Sequence, residues 1–119
     1  MGETAGGQAR RMTWDEIAAL GLSLPGVELG TSYGRPALKL RGKMVAAGGK
    51  AEDHFVLSAS LDEIEVLMDT DPACFFRTPH YKGWPAVLVR YAEADPERIA
   101  ALIERAWQRG ASKAQLAAR

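Results

Sequence analysis

Three strand-like segments lie between residues 36 and 58, and the turns joining them are too short for any crossover. Pro36-Ala37-Leu38-Lys39-Leu40-Arg41 alternates, which puts Leu38 and Leu40 on one face and Lys39 and Arg41 on the other. Gly42-Lys43 reads as a hairpin turn into Met44-Val45-Ala46-Ala47, Gly48-Gly49-Lys50 opens a second turn, and His54-Phe55-Val56-Leu57-Ser58 forms the third strand. Parallel neighbours need a connection of about a dozen residues or more, so these strands pair antiparallel.

Helix signals flank the strands. Thr13-Trp14-Asp15-Glu16 and Ser60-Leu61-Asp62-Glu63 have capping-box form, in which an N-cap hydroxyl and an N3 carboxylate each accept from the other residue's amide. The first predicts a helix with Ile17, Ala18 and Leu20 inward, stopped by Leu22-Ser23-Leu24-Pro25-Gly26. The second predicts a helix with Ile64, Leu67 and Met68 inward, ended by Asp71-Pro72. Residues 29–33 read as irregular chain or a short edge strand. Phe75-Phe76 forms a short strand and residues 85–91 a longer one, with Val87 and Val89 opposite Leu88 and Arg90. Asp95-Pro96 starts a last helix that runs through Trp107, bends at Gly110 and continues toward Leu116.

The order is therefore α-βββ-α-ββ-α. Three helices cover one face of such a sheet, which makes the fold class α+β, a two-layer α/β sandwich. Its other face carries Lys39, Arg41 and their neighbours into solvent.

A chain of 119 residues buries roughly two-thirds of the surface its unfolded form exposes, enough for one core. Residues 1–11 read as a disordered leader without the apolar stretch of a signal peptide, and residues 12–119 as a single α/β domain. No apolar run approaches the length of a membrane span. Cys74 is the one cysteine, so no intrachain disulfide forms, and the expected compartment is the cytoplasm.

Formal net charge is zero, but the charges are segregated. Arg35, Lys39, Arg41, Lys43 and Lys50 have no acid among them, and Glu52, Asp53, Asp62, Glu63, Glu65, Asp69 and Asp71 have no base among them. A basic two-stranded ribbon can track phosphates, and its width suits a DNA groove. The plainer reading is an exposed sheet face on which lysine discourages edge-to-edge pairing. A second basic stripe lies on the last helix, where Arg98, Arg105, Arg109 and Lys113 fall within an arc of roughly 80°. Ile99, Ile103, Ala106, Trp107 and Ala114 fall on the adjoining inward side. Such stripes are more often solvated rims than binding surfaces.

Catalytic constellations are scarce. His54 and His80 are the only histidines, and consecutive strand residues face opposite ways, so Asp53-His54 does not read as part of a triad. Cys74 beside Phe75-Phe76 reads as a small core residue. No Cys/His cluster has metal-ligand spacing, the acid run from Asp62 to Asp71 reads as a solvated helix face, and Gly48-Gly49-Lys50 is a turn rather than a phosphate cradle. The expectation is a non-enzymatic domain without catalytic residues, metal or cofactor. The loop with His80, Tyr81 and Trp84 is the remaining feature of interest. Trp84 reads as packing over the sheet edge, while Tyr33, Tyr81 and Trp84 are also able to stack on bases.

Leu24-Pro25-Gly26-Val27-Glu28, Leu38-Lys39-Leu40-Arg41-Gly42-Lys43-Met44, and the loop from His80 to Trp84 leading into Ala86-Val87-Leu88-Val89 follow one another at telling spacings. With the long terminal helix they resemble the MmcQ/YjbR-like family of small bacterial proteins, over roughly residues 12–116. The resemblance implies the same two-layer sandwich, similar in layout to secretion-chaperone folds, and a DNA-binding role with no catalytic motif. On that reading Arg35, Lys39, Arg41, Lys43, Arg105, Arg109 and Lys113 face double-stranded DNA. Two other classes stay open. One is a protein-interaction module that pairs with itself or another protein through its sheet. The other is a small-ligand domain with a pocket under the 78–85 loop, lined by His80, Tyr81 and Trp84.

Overall fold

The computed structural model describes residues 12–119, and the leader expected over residues 1–11 lies outside them. In chain order the elements are α1 (Trp14–Leu22), β1 (Val27–Ser32), β2 (Arg35–Leu40), β3 (Lys43–Gly48), β4 (His54–Ser58), α2 (Leu61–Thr70), β5 (Phe75–Phe76), β6 (Ala86–Arg90), α3 (Pro96–Gly110) and α4 (Lys113–Ala118). The strands form one antiparallel sheet in the order β1-β2-β3-β4-β6-β5. The stretch read as irregular or a short edge strand is a full edge strand, β1, paired with β2 along its whole length.

Both early hairpins close through two-residue turns in the left-handed region. Tyr33 and Gly34 have φ of 52° and 78°, and Arg41 and Gly42 have 52° and 83°. This is the turn whose twist matches that of the strands it joins. The second turn sits one residue earlier than the sequence reading put it. Arg41 therefore leaves the strand, and its guanidinium donates to the Gly110 carbonyl at 3.4 Å. Arg41 does not share a solvent face with Lys39. A bulge opposite Leu38/Lys39 places Val45 as the extra residue of β3, so Val45 and the adjacent Ala46 both join the helix-side core.

The helices cover one sheet face, where Ile17, Leu38, Leu57, Ile64, Val87, Val89 and Ile99 are wholly buried. α1 has the full capping box. In α2 the Ser60 hydroxyl accepts from the Glu63 amide, but the Glu63 carboxylate pairs instead with Arg105 and Arg109. Two guanidiniums offer a carboxylate more than one backbone amide does. The terminal helix breaks rather than bends. Ala111 ends α3, and Ser112 caps α4 through a capping box with Gln115. Ala114, assigned inward on a continuous helix, is consequently exposed.

The face opposite the helices is not simply open to water. Ala37, Ala47, Val56, Ala86 and Leu88 form a second buried cluster there, with Met44, Phe76 and Tyr81 packed against it. The chain between Thr78 and Pro85 folds back over this face through a 3₁₀ turn at Pro79–Tyr81.

Candidate binding groove

On that second face the 78–85 segment and the tip of the β1–β2 hairpin frame a groove. It consists of two hollows of about 420 Å³ and 590 Å³ that share Tyr33, Arg35, Tyr81 and Trp84. Ala47, Val56, Ala86 and Leu88 from the central strands are its apolar floor. Volumes of this size suit a small-molecule ligand.

Its rim is aromatic and basic. Trp84, read from sequence as a structural residue over the sheet edge, is 59 % exposed, and Tyr33 is 89 % exposed. Gly83, with φ of 81°, turns the chain two residues after the 3₁₀ segment, and the Trp84 amide donates back to the Tyr81 carbonyl at 2.9 Å. Tyr81 lies half-buried between floor and rim, its ring edge-on to His80 at 5.2 Å between centroids. Phe76 closes the far end, held by the Arg90 guanidinium at 3.9 Å from its ring centre. Arg90 is fixed in turn by the carbonyls of Pro72 and Ala73.

Arg35, Lys43 and Lys50 supply the charge. Among the described residues no Asp or Glu lines either hollow, and none forms an ion pair with these three cations. The groove's field is positive over an apolar floor, an arrangement that concentrates anions.

His54 lines the larger hollow and has a partner that the sequence reading denied it. Its Nδ1 sits 2.8 Å from the Asp53 carboxylate. Asp53 belongs to the turn before β4, so the rule that strand neighbours face opposite ways does not reach it. The hydrogen bond from His54 holds the Asp53 carboxyl below the usual carboxylate range. The histidine ring stands edge-on to Phe76 and lies against Gly49, where an added Cβ would come within 2.5 Å of it.

The residues read from sequence as one DNA-facing set are divided among five places. Arg35 and Lys43 line the groove, whereas Lys39, half-buried on β2, lies with its stem against Gly30 of β1. Arg41 turns to the end of α3. Arg105 and Arg109 are engaged by Glu63, and Arg109 also donates to the Ser58 hydroxyl at 3.2 Å. Arg98, part of the same predicted stripe, pairs with Asp71 at 2.9 Å and covers Phe75. Lys113 stands on α4, beyond the helix break. The two basic surfaces nevertheless meet, because Lys43 also lines a smaller hollow that includes Arg109. Of the loop residues, His80, Tyr81 and Trp84 all line the larger hollow. The contributions of Tyr33, Arg35 and Lys50 to that same site come from distant strands and hairpins, and no local pattern announces them.

Cys74 is buried as expected, and burial pushes its thiol up to about 11. It is the opposite of an activated nucleophile. Among the described residues no group of three or more His, Cys, Asp or Glu is placed to hold a metal, and no helix is long and apolar enough to cross a membrane.

Comparison with known proteins gives a consistent picture. The YjbR family model matches residues 22–109. Uncharacterized proteins of Mycobacterium bovis and Mycobacterium tuberculosis are 31% identical over 117 residues, covering 85% of this chain and 90% of theirs. A crystal structure of a Deinococcus radiodurans protein, DR2400, with a DUF419 domain, superposes with a TM-score of 0.71 at 17% identity, over 88% of this chain and 86% of that one. That likeness is one of fold.

Proposed function

The chain belongs to the YjbR family, and on that premise we propose that it is a non-enzymatic binding module whose site is the groove opposite the helices. Its partner is anionic and carries an apolar portion. One observation supports this reading above others: Arg35 lines both hollows of the aromatic-rimmed groove, Lys43 one and Lys50 the other, and no carboxylate among the described residues lines either. Cations left without acids in a concave, low-dielectric setting attract an anion more strongly than the same cations spread over a convex face. The inert Cys74 thiol and the structural pairing of Glu63 favour binding over catalysis.

A thermal-shift screen of anionic and neutral ring-bearing compounds tests this, since a ligand selective for the folded state raises the melting temperature by mass action. Stabilisation by the anionic set, lost in an Arg35→Gln/Lys50→Gln double variant, supports the groove. Equal shifts in parent and variant remove it.

Double-stranded DNA is the second reading, and one observation favours it. Lys43 joins the groove to the hollow around Arg109, so cations continue across the end of the sheet. Glu63 neutralises part of that track. Binding on this reading is weak and salt-dependent, because few phosphates are neutralised. Titration of labelled duplex at low and moderate salt decides it; an affinity indifferent to salt excludes phosphate tracking.

A further inference from the structure

Tyr33 occupies a position that folding alone would not give to tyrosine. It is the first residue of the two-residue β1–β2 turn, with φ of 52°, where Gly, Asn and Asp are favoured and bulky side chains are strained. Packing of the side chain would offset that strain, yet the ring is 89 % exposed and among the described residues stacks on no other ring. Strained residues of this kind persist where the surroundings or a function select them. Across the groove Trp84 is likewise exposed, and both rings line both hollows, together with Arg35.

We propose that Tyr33 and Trp84 are an aromatic clamp for the planar ring of a small molecule whose phosphate or carboxylate is held by Arg35 and Lys50. The proposal rests on the groove reading above and names the ligand class for it. Flat rings stack on exposed aromatic faces with useful affinity and little demand for a particular ring, so the clamp supplies affinity for planarity. The guanidinium of Arg35 matches the two oxygens of a carboxylate or phosphate, and Lys50 adds a second positive charge at the larger hollow. Hollows of about 420 Å³ and 590 Å³ hold a ring and an anionic group without rearrangement of the strands.

The strained turn makes the test unusually clean, because Tyr33→Asn removes the ring while giving the turn a residue better suited to it. Calorimetric titration with 1-naphthyl phosphate and 1-naphthoate is the direct assay, with 1-naphthalenemethanol and inorganic phosphate as the ring-only and anion-only arms. Saturable binding of either aromatic anion supports the clamp and identifies the headgroup, and loss of either half of the ligand should weaken it by about tenfold or more. Tyr33→Asn should weaken binding by about tenfold, the scale of one lost ring stack, at an unchanged or higher melting temperature. The clamp is overturned if Tyr33→Asn binds as well as the parent, or if it loses binding and melting temperature together. Weakening by Arg35→Gln and Trp84→Ala without any effect of Tyr33→Asn leaves the groove standing and removes the clamp. If neither aromatic anion saturates at millimolar concentration, clamp and ligand class both fall; the groove then rests on the wider thermal-shift screen.

Discussion

The indole Nε1 of Trp107 donates to the carbonyl of Pro25 at 2.8 Å, tying the last turns of α3 to the loop that leads into β1, 82 positions away in sequence. The ring is 1 % exposed, so one residue both fills the core and satisfies a backbone group. Trp107→Ala should cost about 3–5 kcal/mol, as expected for a buried aromatic truncation. Trp107→Phe keeps most of the volume and orphans the Pro25 carbonyl, which should cost about 1–3 kcal/mol. Urea melts of the two variants read both; a loss under about 1 kcal/mol for the alanine variant would contradict this packing.

Arg41 and Lys39 should respond differently to substitution, because the turn separates them. Arg41→Glu exchanges a donor to Gly110 for a negative charge at the C-terminal end of α3, unfavourable by about 1 kcal/mol through the helix dipole. Lys39→Gln should stay within about 0.5 kcal/mol of the parent. The gap between the variants should narrow in molar salt, where such surface terms are screened. Equal melting in low salt would restore the register in which both side chains face solvent together.

Glu63→Gln tests the duplex-DNA reading. It leaves Arg105 and Arg109 with a neutral amide and adds positive field beside Lys43. On that reading the affinity for labelled duplex rises, and the salt slope steepens by about one to two phosphate equivalents. A variant that folds and shows neither change excludes the α3 flank from any polyanion surface.

Alkaline stability should report on Cys74. Burial raises its folded-state thiol to about 11 from the ordinary 9.0, so the native state holds its proton where the unfolded chain has lost it. The associated stability is fully present below pH 9.0 and is lost as pH rises through about 11. Tyr91, raised to about 12 by burial, extends the decline upward. Cys74→Ala should flatten the slope of unfolding free energy across pH 9–11 whatever it does to the absolute value. An unchanged slope would show that the thiol is not desolvated.

Much of the framework was legible because its signals are local. Thr13 with Glu16, and Asp95 with Pro96, mark helix starts through hydrogen bonds that span no more than three residues. The alternation of Leu38 and Leu40 identifies the core face of β2, and the apolar arc with Ile103 identifies Trp107 as inward-facing. Single-residue shifts escaped the same reasoning. Gly42 reads as a turn residue, but Gly34 and Gly42 are each the second residue of their turns, and the strand gives up Arg41 to supply the first.

The groove belongs to tertiary structure. Glu63 satisfies the capping pattern and still abandons its own helix start, because packing of α2 near α3 brings two guanidiniums within reach. Asp53 meets His54 because the chain is still turning at that point, and strand periodicity holds only inside a strand. Trp84 could be recognised as a loop aromatic, but not as one facing Tyr33 and Arg35 across a hollow, because those residues lie some fifty positions earlier in the chain. Capping, turn and alternation patterns act over a few residues. The positive, aromatic-rimmed groove arises only when a strained hairpin tip and a folded-back loop are held over the same strands.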